Sequence, residues 1–105
     1  MRGDVVRVPA ARGARGREQQ GQRYGVVVQS DDLMLSTVLV TPTSTGSLPM
    51  LHRPEVEILG ERTCLLAEQT RAVTREALGA PVGRLSYDDL RRLDDALLLT
   101  LGLDS

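Results

Sequence analysis

Residues 24–41 read Y-G-V-V-V-Q-S-D-D-L-M-L-S-T-V-L-V-T. Two β-branched, valine-rich runs flank Asp31-Asp32, a pair that favours a tight turn. The stretch predicts a strand over 24–30, a second strand over 33–41, and a hairpin between them. Upstream, D-V-V-R-V at 4–8 reads as a short strand that Pro9 ends. Downstream, P-T-S-T-G-S-L-P at 42–49 reads as a polar loop. P-E-V-E-I within 53–59 alternates, with Val56 and Ile58 on one face and Glu55 and Glu57 on the other. T-C-L-L-A-E at 63–68 predicts another strand, R-A-V-T at 71–74 a last one, and glycines at 79 and 83 interrupt the chain.

The period then changes. Ser86 is placed as a helix N-cap, with Asp88 and Asp89 in the first turn. Leu90, Leu93, Leu97 and Leu101 recur at helical spacing, Leu98 widens the stripe, and Gly102 stops it. Short strands followed by one amphipathic helix, without βαβ alternation, predict a mainly β protein: a small barrel-like antiparallel sheet carrying a C-terminal helix.

The 105 residues suit one domain, expected to span 1–105. Residues 10–22 are polar and contain Gly13, Gly16 and Gly21, which predicts a mobile loop. Phe and Trp are absent, so Val, Leu and Ala must fill the core, and base stacking has only Tyr24 and Tyr87 to draw on. No apolar run reaches the roughly 20 residues of a membrane helix. Asp4 interrupts any signal-like start. A single cysteine, Cys64, rules out an internal disulfide and fits a reducing compartment, so a cytoplasmic protein without membrane association is expected.

The net charge of -1 hides an asymmetry. Every basic residue is Arg. Residues 1–24 hold six of them against Asp4 and Glu18, while the rest of the chain is net acidic. Arg12, Arg15, Arg17 and Arg23 cluster in or beside the polar loop, which points to a local phosphate site rather than a polycation. His52 and Cys64 stand alone in sequence, and no C-x-x-C, H-x-x-x-H or P-loop spacing occurs, so neither metal nor cofactor is expected. Asp88-Asp89 and Asp94-Asp95 read as helix surface, and Cys64 as a buried thiol. That leaves R-E-Q-Q-G-Q-R at 17–23 and T-P-T-S-T at 41–45. An Arg fork can grip phosphate oxygens and stabilise a phosphorane, and hydroxyls can hold another oxygen. RNA brings its own nucleophile, the 2′-OH, so this set suits metal-free RNA cleavage. Arg and Thr on solvated strand ends would look the same.

Taken in order, these segments resemble the MazF/PemK family of toxin endoribonucleases. R-G-D-V-V-R-V at 2–8 looks like its opening strand, E-Q-Q-G-Q-R at 18–23 like its E-Q-x-G-x-R signature, and G-V-V-V-Q-S at 25–30 like the strand that follows. V-T-P-T-S at 40–44, H-R-P-E-V-E-I at 52–58, E-Q-T-R-A-V at 68–73 and G-R-L-S at 83–86 continue the match across nearly the whole chain. The resemblance implies an SH3-like barrel of the CcdB/PemK type, a homodimer, and sequence-specific cleavage of single-stranded RNA to 2′,3′-cyclic phosphate and 5′-OH ends. It places the catalytic Arg on Arg23 and the catalytic Thr on Thr43. Arg23 would stabilise the phosphorane, Thr43 would orient a phosphate oxygen, and Ser44 would back it up. Glu18 would position Arg23 or the attacking hydroxyl, and Gln19 would read a base or line the path. The family also implies an antitoxin whose acidic, disordered C-terminal segment covers the RNA groove. Arg15 and Arg17, extended by Arg71 and Arg75, suit such a partner or the RNA. One residue departs from the pattern: many members carry Pro after the catalytic Arg, where this chain has Tyr24, free of the φ restriction and able to offer a base an aromatic face. The competing expectation is a non-enzymatic toxin of the same fold that binds a protein such as DNA gyrase, as CcdB toxins do; a non-cleaving RNA- or peptide-binding barrel is a third.

Overall fold

The computed structural model describes residues 1–9 and 23–104. The loop expected at 10–22 therefore lies outside the described residues, together with Arg12, Arg15, Arg17, Glu18 and Gln19. Seven strands and one helix follow in order: β1 (Asp4–Arg7), β2 (Tyr24–Val27), β3 (Thr37–Ser44), β4 (Glu55–Ile58), β5 (Glu61–Leu65), β6 (Arg71–Thr74), β7 (Gly83–Arg84) and α1 (Tyr87–Leu101). Their pairings are all antiparallel. The sheet runs β4-β5-β3-β2-β1-β7, with β6 on β3. The β4–β5 turn returns over β7, where Leu59 Cδ2 lies 3.6 Å from the position a Cβ on Gly83 would take. This nearly closed antiparallel barrel with one C-terminal helix is the expected fold class.

Strand β3 organises the sheet. One edge pairs with β2, from Val40↔Val27 to Pro42↔Gly25. The other edge is shared: Thr37–Val40 pairs with β6, and Thr43–Ser44 pairs with β5. Pro42 had been expected to end the strand, yet the strand runs through it. Pro42 falls in the gap between the two partners, where its missing N–H leaves no ladder bond unmade, and its carbonyl accepts from Leu66 N at 2.9 Å.

The expected hairpin is shorter than its hydrophobic runs. Val28 O is taken by Arg2 Nε at 3.1 Å, and Leu39 N donates to Gln29 Oε1 at 3.3 Å. Side chains thus occupy the groups that would extend the β2–β3 ladder. Leu33, Met34 and Leu35, expected in a strand, are exposed and lie outside it. The strand expected at 63–68 also shifts: β5 covers Glu61–Leu65, and Ala67–Gln69 forms a 3-10 turn whose Ala67 carbonyl accepts from Thr70 Oγ1 at 2.9 Å. The glycine-flanked break hides the short β7, fixed to β1 by Arg84 Nη1 donating to Asp4 at 2.7 Å.

The valine runs do not alternate because β1 and β2 are covered on both faces. Val5 and Val26 join Val56, Ile58 and Leu65 beneath α1, while Val6 and Val27 join Val38, Val40 and Val73 on the opposite side. Helix α1 is capped as its sequence predicts. Ser86 Oγ accepts from Asp89 N at 3.1 Å; Gly102, at φ 71°, ends it, with Leu103 N bonded to Leu98 O. Leu90, Leu93, Ala96 and Leu97 face the core, and Leu93 is fully buried. The stripe stops there: Leu101, counted on the apolar face, is exposed, as are Leu98, Leu99 and Leu103. Arg2 ties the helix to the chain start by an ion pair with Asp94.

Two outcomes follow from this packing. A Cβ on Gly25 would lie 2.4 Å from Val40 Cγ1 and 3.2 Å from Thr41 O, so Gly25→Ala should destabilise by about 1–3 kcal/mol in a denaturant titration. The Arg53 guanidinium binds Glu68 and holds its carboxyl below the usual range, so the ionised form is favoured by folding. The stability this adds is present above the unfolded carboxylate pKa of about 4.3 and lost as pH falls through the lower folded value. Glu68→Gln should therefore lower Tm at pH 7, with the difference from the native chain shrinking progressively as pH is lowered below about 4.3.

Candidate functional site

Three structural decisions build one cleft. Arg23 precedes β2, and its carbonyl accepts from Val8 N at 3.0 Å, which sets the residue at the end of β1. Strand β3, carried through Pro42, delivers Thr43 and Ser44 alongside. The β4–β5 hairpin supplies a further wall, since its register pairs Val56 with Thr63 and Ile58 with Glu61 on one face. The resulting cleft encloses about 500 Å³ and is lined by Arg23, Tyr24, Thr43, Ser44, Thr45, Ile58, Leu59, Glu61 and Thr63.

Two of its polar groups are unusual. Arg23 Nε and Thr63 Oγ1 are buried, and among the described residues neither has a hydrogen-bond partner. An orphaned buried donor or hydroxyl costs about 1–3 kcal/mol. Both costs fall on the walls of one cleft, which marks it as built for a polar, anion-containing ligand. Thr43 Oγ1 donates to Tyr24 O at 3.1 Å, so in this arrangement its oxygen is left to accept. The turn between the hairpin strands is also costly. Leu59 and Gly60 both have positive φ, 52° and 81°. A leucine held there forfeits about 1–2 kcal/mol, and its exposed side chain stands at the cleft mouth.

A family model for PemK-like, MazF-like toxins of type II toxin–antitoxin systems matches residues 1–101. The chain belongs to the PemK/MazF toxin family. Among curated relatives, Mycobacterium tuberculosis Rv3098A, named there as a candidate toxin, is 38% identical over 104 residues, covering 98% of each chain. The M. tuberculosis endoribonuclease MazF9 is 34% identical over 103 residues, covering 86% of each. A mycobacterial endoribonuclease solved with its cognate antitoxin superposes with a TM-score of 0.76 at 18% identity, covering 98% of this chain and 95% of the other, which shows a shared fold.

In this MazF-family chain the structure brings together four of the residues singled out by sequence: Arg23, Tyr24, Thr43 and Ser44. Glu18, Gln19, Arg15 and Arg17 lie outside the described residues. Arg71 and Arg75 do not line the cleft. Arg71 Nη2 donates to Pro9 O at 2.6 Å and Arg75 Nε to Leu35 O at 2.5 Å, so both guanidiniums brace backbone. His52 lies on another surface, 3.9 Å from Glu68, and Cys64 is fully buried with its thiol on Ser47 O. Sequence reasoning missed Leu59, Glu61 and Thr63. Their signal was the alternation after Ile58, which a two-residue turn at Leu59-Gly60 would have placed on the Val56 and Ile58 face. That turn lacks the usual Asn-Gly or Asp-Gly signature.

The orphaned hydroxyl gives a direct test. Thr63→Val removes an unpaired buried oxygen at nearly constant shape, so the ligand-free protein should gain about 1 kcal/mol in a denaturant titration rather than lose it.

Proposed function

We propose that this toxin is an endoribonuclease that cleaves single-stranded RNA at a short preferred sequence without a metal ion. The observation that carries this reading is Arg23, whose Nε is buried and, among the described residues, unpartnered in the same cleft as Thr43. The ribose 2′-oxygen attacks the adjacent phosphorus, the 2′-O–P bond forms, and the P–O5′ bond breaks. The 2′-OH gives up its proton, the departing 5′-oxygen gains one, and the products are a 2′,3′-cyclic phosphate and a 5′-OH. The nucleophile is already part of the substrate, so the protein's task is orientation and charge stabilisation. Arg23 meets the negative charge that grows on the phosphorane oxygens. A guanidinium, a fixed fork of hydrogen-bond donors, suits that role better than the role of general base. Thr43, its proton given to Tyr24 O, accepts from the 2′-OH and aims it at phosphorus; turned away from Tyr24, it holds a phosphate oxygen with Ser44. By the resemblance of E-Q-Q-G-Q-R, Glu18 positions Arg23 or the attacking hydroxyl and Gln19 reads a base or lines the path; both lie outside the described residues.

The remaining partners follow from the same reading. The homologous mycobacterial complex supports control by an antitoxin, here with an acidic segment that competes with RNA for Arg23 and the arginines at 15 and 17. The exposed Leu98, Leu99, Leu101 and Leu103 support a homodimer. An RNA substrate places the action in the cytoplasm; among the described residues no helix is long and apolar enough to cross a membrane.

The test is cleavage of a mixed single-stranded RNA in EDTA. The native chain should cut at one short sequence, leaving 5′-OH and cyclic phosphate ends. Arg23→Ala should lower kcat about 100- to 1,000-fold and Thr43→Ala about 10- to 100-fold. A folded, antitoxin-free native protein that leaves diverse RNAs intact, structured tRNA included, would sink the reading and turn attention to a protein target such as gyrase.

A further inference from the structure

Glu61 is out of place in a cleft meant for a phosphodiester. It lines the same cleft as Arg23, is exposed, and among the described residues its carboxylate has no ion pair or hydrogen bond. The neighbouring Arg62 points to the other face of β5, where it pairs with Glu55 at 2.9 Å. An unneutralised carboxylate repels the RNA backbone, so its presence calls for a favourable use. Two residues deeper on the same face of β5 is Thr63, 4% exposed, with its hydroxyl unpartnered. Beside Glu61 at the mouth is Leu59, held apolar and exposed in a left-handed conformation that a leucine disfavours.

We infer that the β4–β5 hairpin is the base-reading wall of the cleft, and that it selects guanine next to the scissile phosphate. This rests on the endoribonuclease reading and names the base that the site takes. A carboxylate can only accept hydrogen bonds, and does so through two parallel oxygens. Guanine is the one RNA base whose Watson–Crick edge offers two adjacent donors, N1–H and N2–H. Adenine and cytosine each set a ring-nitrogen acceptor beside their amino group, and uracil flanks its single N–H with two carbonyls. Each of these three turns a lone pair toward a carboxylate oxygen. The remaining guanine edge atom, O6, is an acceptor, and the Thr63 hydroxyl deeper along β5 supplies the donor. Leu59 packs against the base face, in a chain with few aromatic rings to stack on it. The phosphate stays with Arg23, so the negative Glu61 faces the base and not the backbone.

The experiment uses short single-stranded RNAs with randomised positions around one cut, sequenced from their 5′-OH ends, with the native chain and Glu61→Gln. Thermal melts confirm that both are folded. The native chain should enrich guanine at one position flanking the cut, about ten- to a hundredfold over the other bases. Glu61→Gln offers one acceptor and one donor, the complement of the amino and ring-nitrogen edge that adenine and cytosine share, so its preference at that position should move from guanine toward those two bases. Thr63→Val should reduce the guanine preference without creating one for adenine. Cleavage with no guanine enrichment, or an unchanged base profile in Glu61→Gln, would overturn the inference. So would a variant that loses rate at every site alike with an altered pH profile, since that marks Glu61 as a proton acceptor. Were the native chain to cut nothing, the cleavage reading would fail. Anisotropy with labelled hexanucleotides differing only at one G, A, C or U would then still decide the base reading.

Discussion

Strand β3 must serve two neighbours along one edge, and the rest of the structure is arranged around that requirement. Its first half pairs with β6 and its last two residues with β5, while β2 pairs with the other edge from Val40 to Pro42. An exchange of partners leaves a short stretch of backbone with no ladder on one side, and Pro42 occupies it at no cost in hydrogen bonds. Gly25 faces that same point from β2, where Val40 Cγ1 comes too close for any side chain. The bend that closes the barrel and the delivery of Thr43 and Ser44 to the cleft are therefore one event. A strand that ended at Thr41 would leave Arg23 without its neighbouring hydroxyls.

The cleft concentrates the energetic concessions of the fold. Among the described residues, Arg23 Nε and Thr63 Oγ1 are buried without partners, and Leu59 sits in a left-handed conformation. Elsewhere several charged side chains are paired: Arg2 with Asp94, Arg53 with Glu68, Arg62 with Glu55, Arg84 with Asp4. Stability is spent where a ligand can return it, a pattern expected of binding sites. The cleft holds both signs of charge, a guanidinium at Arg23 and a carboxylate at Glu61 on β5. A nucleotide, anionic at one end and donor-bearing at the other, matches both.

Much of this was legible in the sequence because it depends on local chemistry. Ser86, Asp89 and Gly102 cap a helix through bonds that span a few residues, and the P-E-V-E-I alternation marks a half-buried strand wherever it packs. The valine runs announced strands, but they did not show where the ladder would stop, because the groups that end it, Arg2 Nε and Gln29 Oε1, reach it through tertiary approach. Leu101 kept helical spacing but lost its partner, since the barrel beneath α1 ends before it does.

The sequence by itself determined the strand-rich class, the terminal helix, and the pairing of Arg23 with the Thr43–Ser44 segment through motifs whose order resembles a known family. Only the tertiary structure decided which wall those residues face. Glu61 and Thr63 belong to the cleft because a two-residue turn folds β5 back on β4 and because β5 meets β3 only beyond Pro42. Those are contacts between segments far apart in the chain. No local propensity encodes them, and they form because closing the barrel buries Val56, Ile58 and Leu65 against the helix.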